Sequence, residues 1–380
     1  MGLPVDIKAV IEEALDVEAK RQAPLSVSLY FDDTTPGEVQ AHVRQAFATS
    51  APHAHVSIIY LDGRPFVPYG GDDMALLVAG VDERVGRCAE ELREAGVPTM
   101  VATTMPTIVE GLAEVTGHPI PAGDLVAPAK PEPQAGEEGA AAQGDLENGA
   151  NPEASVAPDE PILFDEAAAA SLDERMGQWI AAACKDKGLA FAAAFPFVRR
   201  PLALDKVEAT TLQNAVVGFL PIIPGADMPV MTLNQSKMVM EIAAAYGLSM
   251  DSDRIKELVA VVVGAFACRK VSRTVAPDVP VLGWAVKALI GGAATYGLGR
   301  GAIRYYEDGA TFATLEKVAG KARDKAADAV ATYASDKAQE AVAGAVDGVK
   351  QRVGSVVDDI AGAMGAAGAA GGRAGAEGAR

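Results

Sequence analysis

Histidine and cysteine, from which many nucleophilic and metal sites are assembled, are scarce: four of the first and three of the second in 380 residues. Cys88, Cys184 and Cys268 stand far apart and are odd in number. They define no disulfide framework and no zinc spacing, which favours a reducing compartment. His53 and His55 alternate, but neither His42 nor His118 supplies a third ligand by spacing. A metal site needs more ligands than that, so the expected place of this pair is a solvent-facing turn and strand. Also missing are the Gly-x-x-x-x-Gly-Lys-Ser/Thr loop that cradles phosphates and the Gly-x-Ser-x-Gly nucleophile elbow. Gly297-Leu-Gly-Arg-Gly-Ala302 superficially looks like a dinucleotide loop, but it follows a helical pattern and lacks the third glycine. The expectation is a protein with no catalysed reaction and no cofactor.

Positive charge is in deficit as well. Lys and Arg number 33 against 51 Asp and Glu, a formal charge of -18. Nucleic-acid affinity comes mainly from cations neutralising phosphates, so that class of partner is excluded. Aromatics make up 5% of the chain although hydrophobic residues make up 49%. The apolar content is therefore largely Ala and Val, which together with abundant Gly suits close helix packing. The opening Met1-Gly-Leu-Pro-Val-Asp-Ile-Lys8 has no basic region followed by an apolar one, and Asp6 stands where a myristoylation signal has Ser or Thr. The body of the protein is expected on the cytoplasmic side.

What is present divides into two textures. Residues 1–121 alternate strand and helix patterns: a short acidic helix over 5–20, strands over 25–31, 55–61, 74–79 and 97–102, and helices over 36–49, 82–95 and 107–116. Such alternation predicts an α/β domain with a parallel or mixed sheet and helices on both faces. Ligands of these sheets bind beyond the carboxyl ends of strands. Two loops fall there, Asp32-Asp33-Thr34-Thr35 and Thr103-Thr104-Met105. Asp32, Asp33, Thr34 and Thr35 are the candidates for a phosphate or Mg²⁺ site. The competing reading is a helix cap and a solvated loop, which Asp and Thr form in many proteins. Residues 122–160, with nine acids against Lys130, read as a disordered acidic linker.

From 161 to 309 the texture is helical and calls for an all-α domain with hydrophobic helical hairpins. Its centre is the stretch from Ala209 to Ala226, which holds no charged residue. Pro221, Pro224 and Gly225 break it, because proline removes a backbone donor and clashes with the preceding turn. A second helix is expected to start at Asp227, a residue suited to cap it. Asp227 is also placed to pair with Lys237 or Lys287 within an apolar bundle, and an ionisable group at such a position is a functional lead. Gly292 and Gly299, in an apolar stretch from Val281 to Ile303, are expected to let another backbone come close. An apolar helix is also expected from Asp251 to Arg273. Residues 310–362 carry a heptad-like Val stripe, read as a coiled-coil or surface-lying helix or as a frayed helical tail, and 363–380 read as a disordered Gly/Ala tail.

Asn214-Ala with Pro221-Ile-Ile-Pro-Gly-Ala-Asp227, then Leu233-Asn-Gln with Met238-Val and Ala245-Tyr-Gly247, resembles the YcjF-like family of domains of unknown function, number 697. So does Gly283-Trp-Ala-Val-Lys287 with Gly292, Thr295, Gly299-Arg and Ile303-Arg-Tyr305. The resemblance covers about 205–308. It implies a helical, often membrane-associated domain without an established reaction, commonly following a GTPase-like domain. Leu76-Leu-Val-Ala-Gly-Val-Asp82 and the run from Glu91 to Thr104 are similar to the later strands of a GTPase fold, although Thr103-Thr-Met-Pro106 stands where the base-reading motif belongs. This implies a nucleotide-fold remnant that binds without turnover.

The leading expectation is a non-enzymatic bacterial protein at the cytoplasmic side of the inner membrane, with an α/β binding domain. The alternatives are a soluble homo-oligomeric helical scaffold and a regulatory sensor of nucleotide or Mg²⁺.

Overall fold

The computed structural model describes residues 7–129, 161–219, 227–249 and 282–308. Pro221, Pro224, Gly225, the expected linker from 130 onward, the expected helix over 251–273, the Val-striped helix and the Gly/Ala tail lie outside the described residues.

Five strands form one parallel sheet: β1 (Leu25–Phe31), β2 (Ala54–Tyr60), β3 (Met74–Val78), β4 (Thr99–Ala102) and β5 (Leu125–Val126). Their spatial order is β2-β1-β3-β4-β5. The chain thus winds one way from β1 to β2 and the other way from β3 to β5. That reversal puts α2 (Gly37–Ala46) on one face and α3 (Val85–Glu94) and α4 (Pro106–Val115) on the other. Pro36 precedes α2 with φ −51°, ready for a helix, and Pro106 occupies the first turn of α4.

β3 is buried along its whole length, as its apolar run of Met, Ala, Leu, Leu and Val requires at the middle of a parallel sheet. On one face Tyr30, Ala75, Leu77 and Val101 meet Cys88, Ala89 and Leu92 of α3 and Val109 and Ala113 of α4. On the other, the Phe31 ring lies 5.8 Å from that of Tyr60, under Arg44 of α2. Each fully buried leucine contributes roughly 2–3 kcal/mol.

α1 (Ile7–Arg21) buries Val10, Ala14 and Val17, four and three residues apart. α5 (Glu166–Ala183) starts at Asp165, whose Oδ1 accepts a hydrogen bond from the Ala168 N–H at 2.8 Å. α6 (Gly188–Ala194) and α7 (Pro196–Phe219) follow, then α8 (Asp227–Ala245) and α9 (Leu282–Asp308).

Two features depart from the sequence reading. β5 falls inside the stretch assigned to the linker. It is two residues long, too short to show a period, and is held by hydrogen bonds from Val101 N–H to Asp124 O and from Thr103 N–H to Val126 O. The compact units also divide differently. Of the described residues, 8–206 and 237–249 form one unit, and 207–236 with 282–308 form the other. α5, α6 and the start of α7 thus belong with the sheet. Phe47 explains part of this, packing its ring 5.0 Å from Phe195 and 5.1 Å from Phe197. Pro201 fits inside α7 against Gly177 of α5, where a Cβ would meet its Cγ at 2.7 Å.

Candidate functional site

The direction of winding reverses between β1 and β3, the place where doubly wound sheets take ligands. Asp32 follows β1 there and is fully buried. Its Oδ1 accepts from Thr34 N–H at 2.8 Å, and its Oδ2 accepts from the Thr34 hydroxyl and Gly80 N–H at 2.8 Å and from Asp82 N–H at 3.2 Å. Thr34 Oγ1 in turn accepts from Val81 N–H at 2.7 Å. Thr35 donates its hydroxyl to Val78 O at 2.9 Å, and Gln40 Nε2 donates to Thr35 O at 2.9 Å. Asp33 is exposed. The candidate loop is therefore a stitch joining the carboxyl ends of β1 and β3. Gly80 is required by it: a Cβ there would sit 2.6 Å from Thr35 N.

One carboxylate oxygen each of Asp32, Asp33 and Asp82 lies within 4.8 Å of the others, a spacing a divalent cation would accept. The donor set does not fit one. Asp32 Oδ2 already takes three donors. Asp82 is claimed by Arg84, whose Nε lies 3.0 Å from Oδ1 and 2.9 Å from Oδ2, and whose Nη2 also reaches Leu61 O at 3.0 Å. Burial alone would raise the Asp82 carboxyl, but the Arg84 hydrogen bonds and charge outweigh it and hold the group below its ordinary value. Arg84 supplies the positive charge here. Sequence reasoning missed Gly80 and Asp82 because they meet Asp32 across some fifty positions of chain, and with them Arg84, which reaches the site through Asp82; a Gly-Val-Asp just after a predicted strand was the available sign.

The second loop is likewise engaged by the fold, with Thr103 Oγ1 accepting from Met105 N–H at 3.0 Å and Thr104 O accepting from Ile162 N–H. His53 and His55 are not brought together on a ligand set: His53 Nε2 lies 3.2 Å from Ala190 O and His55 Nε2 3.3 Å from Ser57 Oγ.

Among the helical candidates, Asp227 opens α8 and Lys287 falls within α9; their side chains lie outside the described residues. Lys237 is engaged by Glu13 of α1 at 2.7 Å. One turn on, Glu241 is buried beside Lys206 at 3.6 Å, and burial pushes its carboxyl up despite the lysines around it. Gly299 is packed hard against Val207, whose Cγ1 would lie 2.9 Å from an added Cβ. Gly292 has ordinary room, 3.6 Å to Ala215 Cβ.

Beside these glycines runs a polar seam. Asn214 of α7 and Thr295 of α9 are fully buried and joined by a hydrogen bond from Nδ2 to Oγ1 at 3.0 Å. Gln235 of α8 donates to the same oxygen at 2.7 Å, and Asn234 donates to Asn214 Oδ1 at 3.0 Å. The sign was legible as neutral polar residues within apolar helices; that Asn214 and Gln235 both bond Thr295 was not.

No known protein family, curated protein or solved structure matches this chain.

Proposed function

We propose that the protein is a non-enzymatic, membrane-associated assembly protein, in which helices α7, α8 and α9 make the contact with the bilayer and the α/β part serves for binding. The seam of Asn214, Asn234, Gln235 and Thr295 carries this reading. Small residues that bring backbones together and amides that bond across helices are the means by which helices associate where water is excluded. Gly299 against Val207 supplies the first and the seam the second. Leu212, Val230 and Tyr296 on these helices keep apolar surface exposed, and Leu212 belongs to the charge-free run from Ala209 to Ala226. No described helix is long and apolar enough to cross a membrane, so the proposed contact lies within the interface or uses a broken, re-entrant hairpin buried in protein.

The test is flotation of the purified full chain with neutral phosphatidylcholine vesicles in a density gradient. The wild type is expected at the vesicle band, and a Leu212→Glu, Tyr296→Glu double variant at the bottom. A wild type that stays at the bottom overturns the proposal.

A further inference from the structure

We propose that two copies of this chain join edge to edge through β2, antiparallel across a two-fold axis, so that their sheets run on into one another. Among the described residues β2 pairs on one side only, with β1. Leu25 N–H donates to His53 O and Leu61 N–H to Phe31 O. The odd-numbered residues of β2 thus turn their backbone to β1, and Val56 and Ile58 turn theirs outward.

Sheet edges are ordinarily blunted by lysine, proline, a bulge or a cover. Among the described residues β2 has none of these: its register with β1 is unbroken from Ala54 to Tyr60, and Ile58, Ile59 and Tyr60 are 49%, 37% and 48% exposed. Val67 and Tyr69, in the loop that follows, are exposed as well. Such an edge needs an occupant.

Charge selects a second copy. The chain carries -18, so most faces of two copies repel, yet no Asp, Glu, Lys or Arg occurs between Gln45 and Leu61. Here two copies meet without opposing like charges. The strand also complements itself. With Ser57 facing the partner's Ser57, all seven residues pair. Val56 and the partner's Ile58 are both outward-turned and exchange two backbone hydrogen bonds, and the two-fold repeats the exchange. On the same face Ala54 meets the partner's Tyr60, small against large, and on the other His55 meets the partner's Ile59. Two-fold pairing of this kind is closed at β2: each copy's β2 edge is used up by the other's.

The inference does not rest on the bilayer reading, and its test separates the two. The full chain, purified in a mild non-ionic detergent, is sized by light scattering as wild type and as Ile58→Lys. In parallel, Ser57→Cys is oxidised with copper phenanthroline, with the wild type as control for the native cysteines. A central non-hydrogen-bonded antiparallel pair brings its Cα atoms to about 4.5 Å, within disulfide reach. The expected result is a two-fold lower particle mass for Ile58→Lys and a covalent dimer through position 57 for Ser57→Cys. A particle mass unchanged by Ile58→Lys, or no link at position 57, overturns the proposal. A monomeric wild type does the same, and would leave β2 to a strand from another protein. If Ile58→Lys fails to fold, the Ser57→Cys cross-link alone decides.

Discussion

At the scale of single residues, the two neighbouring aspartates after β1 do different work. Asp32 is buried and accepts four hydrogen bonds, whereas Asp33 faces solvent. Asp32→Asn turns an amide toward donors it cannot accept from on both sides. It is expected to cost about 2–3 kcal/mol in urea unfolding, while Asp33→Asn stays within about 0.5 kcal/mol of wild type. Equal effects would mean that the stitch is not what holds this loop. The thiols follow the same logic of burial. Burial pushes Cys88 up to about 11 and Cys184 up to about 12. Because the thiolate is the reactive form, both are expected to alkylate at pH 8 at least about a hundredfold more slowly in the native protein than in urea. Peptide mass mapping after an iodoacetamide time course reads this directly. Glu241 adds a pH dependence of definite sign. Burial raises its folded-state value above the ordinary 4.5, with Lys206, Lys237 and Lys20 partly opposing. The folded protein therefore binds this proton more tightly than the unfolded chain does. As pH rises from 4.5 through the raised value, wild type should lose stability relative to Glu241→Gln, and the gap should be flat at higher pH. A gap that moves the other way contradicts the burial of this carboxyl.

At the scale of elements, the two glycines of α9 are not equivalent. Gly299→Ala drives a methyl into Val207 and should cost about 1–3 kcal/mol. Gly292→Ala meets ordinary van der Waals distances and gains helix propensity, so it should be neutral or slightly stabilising. Thermal unfolding of the two variants side by side checks the difference. The strands and helices before residue 117 were legible because local chemistry marks them: an apolar β3, Pro36 and Pro106 at helix starts, and Gly96 and Gly117 with φ of 81° and 80° after helix ends. β5 was not, since two residues show no period and their place is set by Val101 and Thr103. The candidate loop follows β1, but what it does depends on Gly80 and Asp82, which sequence spacing alone does not bring to Asp32. Lys237 was assigned to the helical bundle, yet its partner is Glu13 near the other end of the chain. Charge pairing between distant segments has no local sign.

At the scale of the whole molecule, net charge makes the proposed function decidable. A chain of -18 is repelled by the anionic cytoplasmic leaflet, so attraction between opposite charges cannot be what holds it to a membrane. Any stable association has to come from apolar burial, through surfaces such as those of Leu212, Val230 and Tyr296. Salt then acts in a telling direction. At about 1 M the Debye length falls to about 3 Å, which strips proteins held by charge and leaves those held by apolar contact. The most direct measurement is fractionation of cells expressing the full chain, with membranes washed in high salt and then in detergent. Protein retained through the salt wash and released by detergent is the expected result. Recovery in the soluble fraction before any wash would contradict it.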